Sequence, residues 1–137
     1  MGSSCADLED EVSGLIERLP SGNYNISVNK AHHYYRQRFT MAHELGHYVF
    51  HLHLIGSGVD DNRAYRSTGS GGYFNRNIAA REESEANRFA ASVLMPEDLI
   101  QRLREKNTAE KMAKMFQVST QAINIRLSGL PERAPAG

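Results

Sequence analysis

Cysteine is almost missing from this chain: Cys5 is the only one in 137 residues. An intramolecular disulfide is therefore impossible, and a cytoplasmic setting is the natural expectation. Net charge is missing as well, with 16 basic residues against 16 acidic ones, so no global field draws the chain toward nucleic acid or a membrane surface. No apolar run approaches the roughly 18 to 20 residues that span a bilayer. Met1 to Asp10 lacks the cationic start and apolar stretch of a secretion signal, and its Met-Gly-Ser-Ser opening reads like an added tag. What is present is an apolar content of 40%, enough to bury one compact core but short of what two full domains need.

Hydrophobic spacing divides the chain into elements. Leu8, Val12, Leu15, Ile16 and Leu19 recur at helical intervals, so Asp7 to Leu19 is expected to be a helix, stopped by Pro20-Ser21-Gly22-Asn23. Tyr24 to Val28 alternates apolar and polar residues as a half-buried strand does. Arg36 to His53 returns to helical spacing, with Ala42, Leu45, Val49 and Leu52 on the face expected to be buried. Gly56 to Asn77 is rich in Gly, Ser, Asp and Asn, long enough to be a functional loop, and has room for one or two short strands. Helices are then expected over Ile78 to Met95, where Pro96 ends the run, and over Glu97 to Lys106, Ala109 to Phe116 and Thr120 to Leu127. The implied division is an N-terminal helix and linker over 1–23, a core over 24–100, and a C-terminal helical region over 101–137 packed on that core. The fold class is α+β, mostly helical with a small sheet.

The chemistry is concentrated in His43-Glu44-Leu45-Gly46-His47, an H-E-x-x-H arrangement. Residues four apart share one helical face, so both imidazoles can reach a single tetrahedral ion. Glu44 follows the first ligand, where its carboxylate can stand beside the metal and take a proton from an attacking water. A catalytic zinc site needs a third protein ligand and an open fourth position. His51 lies one turn past His47, but three ligands in a row on a straight helix cannot converge, so a supporting or substrate-contacting role suits it better. His53 points away from that face. Glu83 is the favoured third ligand and Glu85 its rival, while Glu82 reads as a solvated acid at a helix start. Asn87, one turn after Glu83, is placed to hydrogen-bond a ligand histidine. Tyr65, Tyr73, His51 and Arg66 are candidates for the oxyanion donor, and the residues alone do not choose among them.

Near the C-terminus, Ala113, Val118, Ser119 and Ile123 have the offsets of a helix-turn-helix, although Gln117 stands where glycine usually makes the turn. Thr120 to Leu127, in the position of a recognition helix, carries one cation, Arg126. That is little for phosphate contact, so DNA contact is weakly supported and a scaffolding or partner-docking role is favoured.

Two blocks go further. Arg38-Phe39-Thr40-Met41-Ala42-His43-Glu44-Leu45-Gly46-His47 and the more specific Glu83-Ser84-Glu85-Ala86-Asn87-Arg88-Phe89-Ala90-Ala91-Ser92-Val93-Leu94-Met95-Pro96 resemble the ImmA/IrrE family of metallopeptidases. The resemblance covers about residues 24 to 100. It implies a gluzincin-like, zincin-type core in which His43, His47 and Glu83 bind Zn2+ and Glu44 is the catalytic acid/base. It also implies a protein substrate, a bacterial or phage repressor of the helix-turn-helix type. The competing reading is a non-catalytic DNA-binding or partner-binding regulator, of the kind found in toxin–antitoxin-like pairs or in phages.

Overall fold

The computed structural model describes residues 2–8, 12–55, 63–66 and 80–131, with 63–66 described by backbone alone. Four strands are formed: β1 (Gly2–Ala6), β2 (Gly14–Arg18), β3 (Tyr24–Asn29) and β4 (Arg63–Arg66). They make one sheet in the order β1-β3-β2-β4. β1 runs parallel to β3, whereas β2 pairs antiparallel with both β3 and β4, with an irregularity at Ile16/Glu17. The helices are α1 (Tyr34–Phe50), followed by a 3-10 turn at Leu52–Leu54, then α2 (Ala80–Leu94), α3 (Glu97–Leu103), α4 (Ala109–Phe116) and α5 (Thr120–Gly129). The fold is thus α+β and mostly helical. None of the described helices is long and apolar enough to cross a membrane.

The expected helix over Asp7 to Leu19 is not formed; strand β2 occupies its second half. The reason lies in where the strand sits. With β3 on one side and β4 on the other, β2 is interior to the sheet, and Val12, Ser13, Gly14, Leu15 and Ile16 are all buried. A strand covered on both faces loses the period-two alternation that identifies a half-buried strand. Gly14, unfavourable inside a helix by about 1 kcal/mol, points the same way. β1 carries no apolar pattern to read: Gly-Ser-Ser-Cys-Ala has almost no apolar content and pairs with β3 along the backbone and through Ser4 Oγ, 3.3 Å from Ser27 Oγ, with its side chains mostly exposed.

Chain contacts gather into two compact units, Met1–Ala90 and Ala91–Gly137. In the first, Ile16, Ile26, Val28 and Ile55 form the buried cluster, and Met41, Leu45 and Tyr48 of α1 pack against it. Those three positions, at i, i+4 and i+7, form one stripe of the helix. The burial expected for Val49 and Leu52 is not found: Val49 is 53% exposed and Leu52 is 38% exposed. The second buried surface of α1 is instead the polar stripe of Thr40, His43, Glu44 and His47. In the second unit, Met95, Ile100, Met112, Ala113, Phe116, Val118 and Ile123 form a core. The helix-turn-helix spacing read at Ala113, Val118 and Ile123 is therefore a packing pattern. Gln117 makes the turn in left-handed conformation, at φ 56°, and Ser119 caps α5 by accepting from the Ala122 backbone N–H.

Candidate metal centre

Two close approaches place the centre. On the sheet side, a Cβ added to Gly14 would collide with Thr40 Cγ2 and stand 3.1 Å from the Ser27 carbonyl oxygen and 3.5 Å from Glu44 Cγ. The missing side chain lets α1 press its polar stripe onto β2. On the other side, a Cβ on Gly46 would lie 3.1 Å from both Ala86 Cα and Phe89 Cδ1. Ala86 and Ala90 are fully buried, so small residues face each other where α1 meets the first turns of α2. That proximity carries Glu83 to the histidines.

His43, His47 and Glu83 each offer a donor atom to one point. His47 Nε2 lies 2.9 Å from Glu83 Oε1 and 3.2 Å from His43 Nε2, and His43 Nε2 lies 3.7 Å from Glu83 Oε2. Ligands about 2.0–2.1 Å from a tetrahedral zinc would be about 3.3 Å apart. These separations bracket that value. Glu85 is not in the cluster; its Oε1 is 3.7 Å from His51 Nε2 and 3.6 Å from Arg81 Nε.

The outer faces of the imidazoles are fixed as the chemistry requires. His43 Nδ1–H donates to Asn87 Oδ1 at 2.8 Å, which turns the Nε2 lone pair to the centre. His47 Nδ1 is 2.9 Å from His51 Nδ1. With the hydrogen on His47 Nδ1, the Nε2 lone pair of His47 likewise faces the centre, and the hydrogen of His51 sits on its Nε2, 3.7 Å from Glu85 Oε1. His51 is buried at the end of α1, so it supports His47 rather than joining the ligand set. Burial pushes the His47 pKa below its ordinary value, although the Glu83 carboxylate beside it, as hydrogen-bond acceptor, opposes the shift; the lowered pKa favours the neutral ring. For Glu83 burial pulls upward, but hydrogen bonds with His43 and His47 and their charge outweigh it, so the carboxyl sits below its ordinary value. A neutral imidazole and an ionised carboxylate are the forms that coordinate a cation.

Glu44 is 0% exposed, and neither of its carboxylate oxygens has a hydrogen-bond partner among the described residues. Burial first, and the Glu83 charge second, hold its pKa well above the usual range. Buried carboxylates without partners are costly, and they cluster where chemistry is done. A cleft of about 210 Å³ opens beside the centre, lined by Ser13, Arg36, Phe39, Thr40, His43, Glu83 and Asn87. Ser13, Arg36 and Thr40 were not singled out from the sequence, although Arg36, Thr40, His43 and His47 recur on one face of a helix and could have been. Tyr65 and Arg66 lie on β4, where Tyr65 is the register partner of Ile16 and Arg66 of Leu15. Tyr73 lies outside the described residues.

A scan against family models matches residues 9–128 to Peptidase_M78, the IrrE N-terminal-like domain. A search of curated proteins finds no match. The match spans most of the chain, including both sequence blocks and every residue of the centre, and so the chain belongs to the Peptidase_M78 family, whose domain is described as IrrE N-terminal-like.

Proposed function

We propose that this protein is a zinc-dependent endopeptidase in which His43, His47 and Glu83 hold the ion and Glu44 is the acid/base. The observation that carries the reading is the meeting of His43 Nε2, His47 Nε2 and the Glu83 carboxylate, at 2.9, 3.2 and 3.7 Å, beside a buried carboxylate with no hydrogen-bond partner among the described residues. Zinc at such a centre supplies Lewis acidity, which lowers the pKa of water and polarises a peptide carbonyl. Glu44 then accepts the proton of the attacking water and passes it to the leaving nitrogen. Its upward-shifted pKa suits a group that must both take and return a proton near neutral pH. Asn87 and His51 keep the two imidazoles in the ligating tautomer.

Family membership supports a protein substrate, and the resemblance narrows this to a repressor of the helix-turn-helix type. DNA binding by the C-terminal helices has less support, because the cation of α5, Arg126, donates its Nε–H to the Met95 carbonyl at 3.1 Å. The test is elemental analysis of the wild type beside His47→Ala and Glu83→Ala. The wild type is expected to carry one zinc, and both variants to lose it; equal zinc in all three removes the ligand set. A helix-turn-helix repressor incubated with the zinc-loaded protein is expected to be cut, and to stay whole with Glu44→Gln.

A further inference from the structure

Arg36 is the charged group of the cleft that neither the metal centre nor the acid/base uses. It stands on α1 two turns before His43, on the stripe that continues through Thr40. One of its terminal nitrogens, Nη2, donates to Ser13 Oγ at 2.7 Å. Ser13 is itself buried, immediately before β2. Among the described residues no carboxylate pairs with Arg36. The result is a guanidinium anchored by a neutral partner on the wall of the same cleft as His43 and Glu83. A guanidinium has five N–H donors, and the contact to Ser13 leaves most of them for a ligand. The fork matches a carboxylate better than any other group in a peptide.

We infer that Arg36 is a specificity-determining residue, which receives a carboxylate of the bound peptide and so selects substrates with an acidic group close to the cleaved bond. The inference rests on the peptidase reading for the words "cleaved bond", though not for the carboxylate subsite itself. Arg36 and His43 are seven positions apart on the helix, a rise of about 10 Å. An extended peptide covers that distance in about three residues. The acidic group therefore lies within about three residues of the bond, either as an Asp or Glu side chain or as a free C-terminus. Ser13 is a positioning residue: it holds the guanidinium against the wall instead of letting it sweep through solvent.

The experiment uses arrays of random decapeptides probed with full-length Glu44→Gln protein loaded with zinc, so that binding is read without turnover. One array carries free C-termini and the other amidated ones. Bound sequences are expected to be enriched in Asp and Glu on both arrays if a side chain is recognised; if the terminus is recognised, peptides of varied sequence are expected to bind on the free array and not on the amidated one. Adding Arg36→Gln should weaken binding of the selected acidic peptides about 10- to 100-fold. Their Gln- or Asn-substituted versions should be bound unchanged. Arg36→Glu should reverse the preference toward Lys and Arg, an outcome that a merely structural role for Arg36 would not produce. Equal binding to the free and amidated arrays without acidic enrichment, or an equal loss for acidic and neutral peptides with Arg36→Gln, overturns the inference. If acidic peptides are selected through Arg36 yet left uncut by the wild-type zinc protein, the subsite stands and the hydrolase reading falls.

Discussion

His47 Nδ1 and His51 Nδ1 lie 2.9 Å apart, one turn from each other at the end of α1, both rings buried. Two unprotonated nitrogens at that distance would repel, so one must carry the hydrogen. Only His47 as donor at Nδ1 puts a lone pair on its Nε2, the nitrogen that faces the centre. His51 thereby selects the tautomer of its neighbour, and Asn87 does the same for His43 from α2.

Removing either support should weaken the centre without dismantling it. His51→Ala and Asn87→Ala are each expected to lower zinc affinity about 10- to 100-fold, the usual effect of losing an outer partner of a ligand histidine. Competition with a chromophoric chelator measures this. His53→Ala, at an exposed position of the 3-10 turn, is the control and should bind zinc like the wild type. Equal affinities for all three variants would leave the two hydrogen bonds without a role in coordination.

Glu44 predicts a pH dependence with a definite sign. Its folded-state pKa is raised well above the ordinary 4.5, by burial and then by Glu83. Between those two values the folded protein keeps a proton that the unfolded chain has released. Stability therefore falls as pH rises through that window. Glu44→Gln abolishes the effect, because its amide never ionises. Metal-free Glu44→Gln is expected to melt several degrees above the metal-free wild type at about pH 7.5, with the gap closing as pH is lowered toward 4.5. Thermal melts over that pH range decide it, and a gap independent of pH would contradict the shifted carboxyl.

How much of this was legible depended on whether a segment's neighbours were local or distant. α1 and α2 showed in the sequence because their spacing and their ligand pattern lie within a few turns of one chain segment. Glu83 and Asn87 could be placed opposite the histidines because one turn separates them and Ala86 and Ala90 mark the packed side. β2 could not, since α1 packs on it and β4 pairs with it from positions far along the chain. The spacing of Leu8, Val12, Leu15, Ile16 and Leu19 fits a helix by accident of a strand buried on both faces. The helical spacing of Arg36, Thr40, His43 and His47 places Arg36 on the histidine face, but nothing near it in sequence reveals that Ser13, 23 positions earlier, holds it.

The Gly14 approach carries a prediction about the sheet side of the centre. Gly14→Ala places a methyl against Thr40 Cγ2 and 3.1 Å from the Ser27 carbonyl oxygen, so α1 must move off β2. Overpacking of this kind costs about 1–3 kcal/mol; Glu44 Cγ, 3.5 Å from the new atom, is in ordinary contact and moves only with α1. Thr40→Ser removes the methyl responsible for the worst contact. The double variant Gly14→Ala/Thr40→Ser should recover part of the lost stability in urea melts, though not all, because the Ser27 carbonyl remains. Additive losses would mean that the two residues do not press on each other.

Gln117 offers a test confined to the second unit. It holds φ 56° and ψ 50° after α4, with its backbone N–H bonded to the Ala113 carbonyl. A residue with a Cβ pays about 1–2 kcal/mol to stay in that left-handed region, whereas glycine enters it freely. The gain from Gln117→Gly is reduced by the extra freedom glycine has when unfolded. The variant is therefore expected to be more stable by about 0.5–1 kcal/mol, with zinc content unchanged. Gln117→Val, branched at Cβ, should lose stability in the same urea melts. If Gln117→Gly instead destabilises the protein, the glutamine side chain holds the turn through contacts worth more than the backbone strain, and the helix-turn-helix spacing reads as a specific structure rather than generic packing.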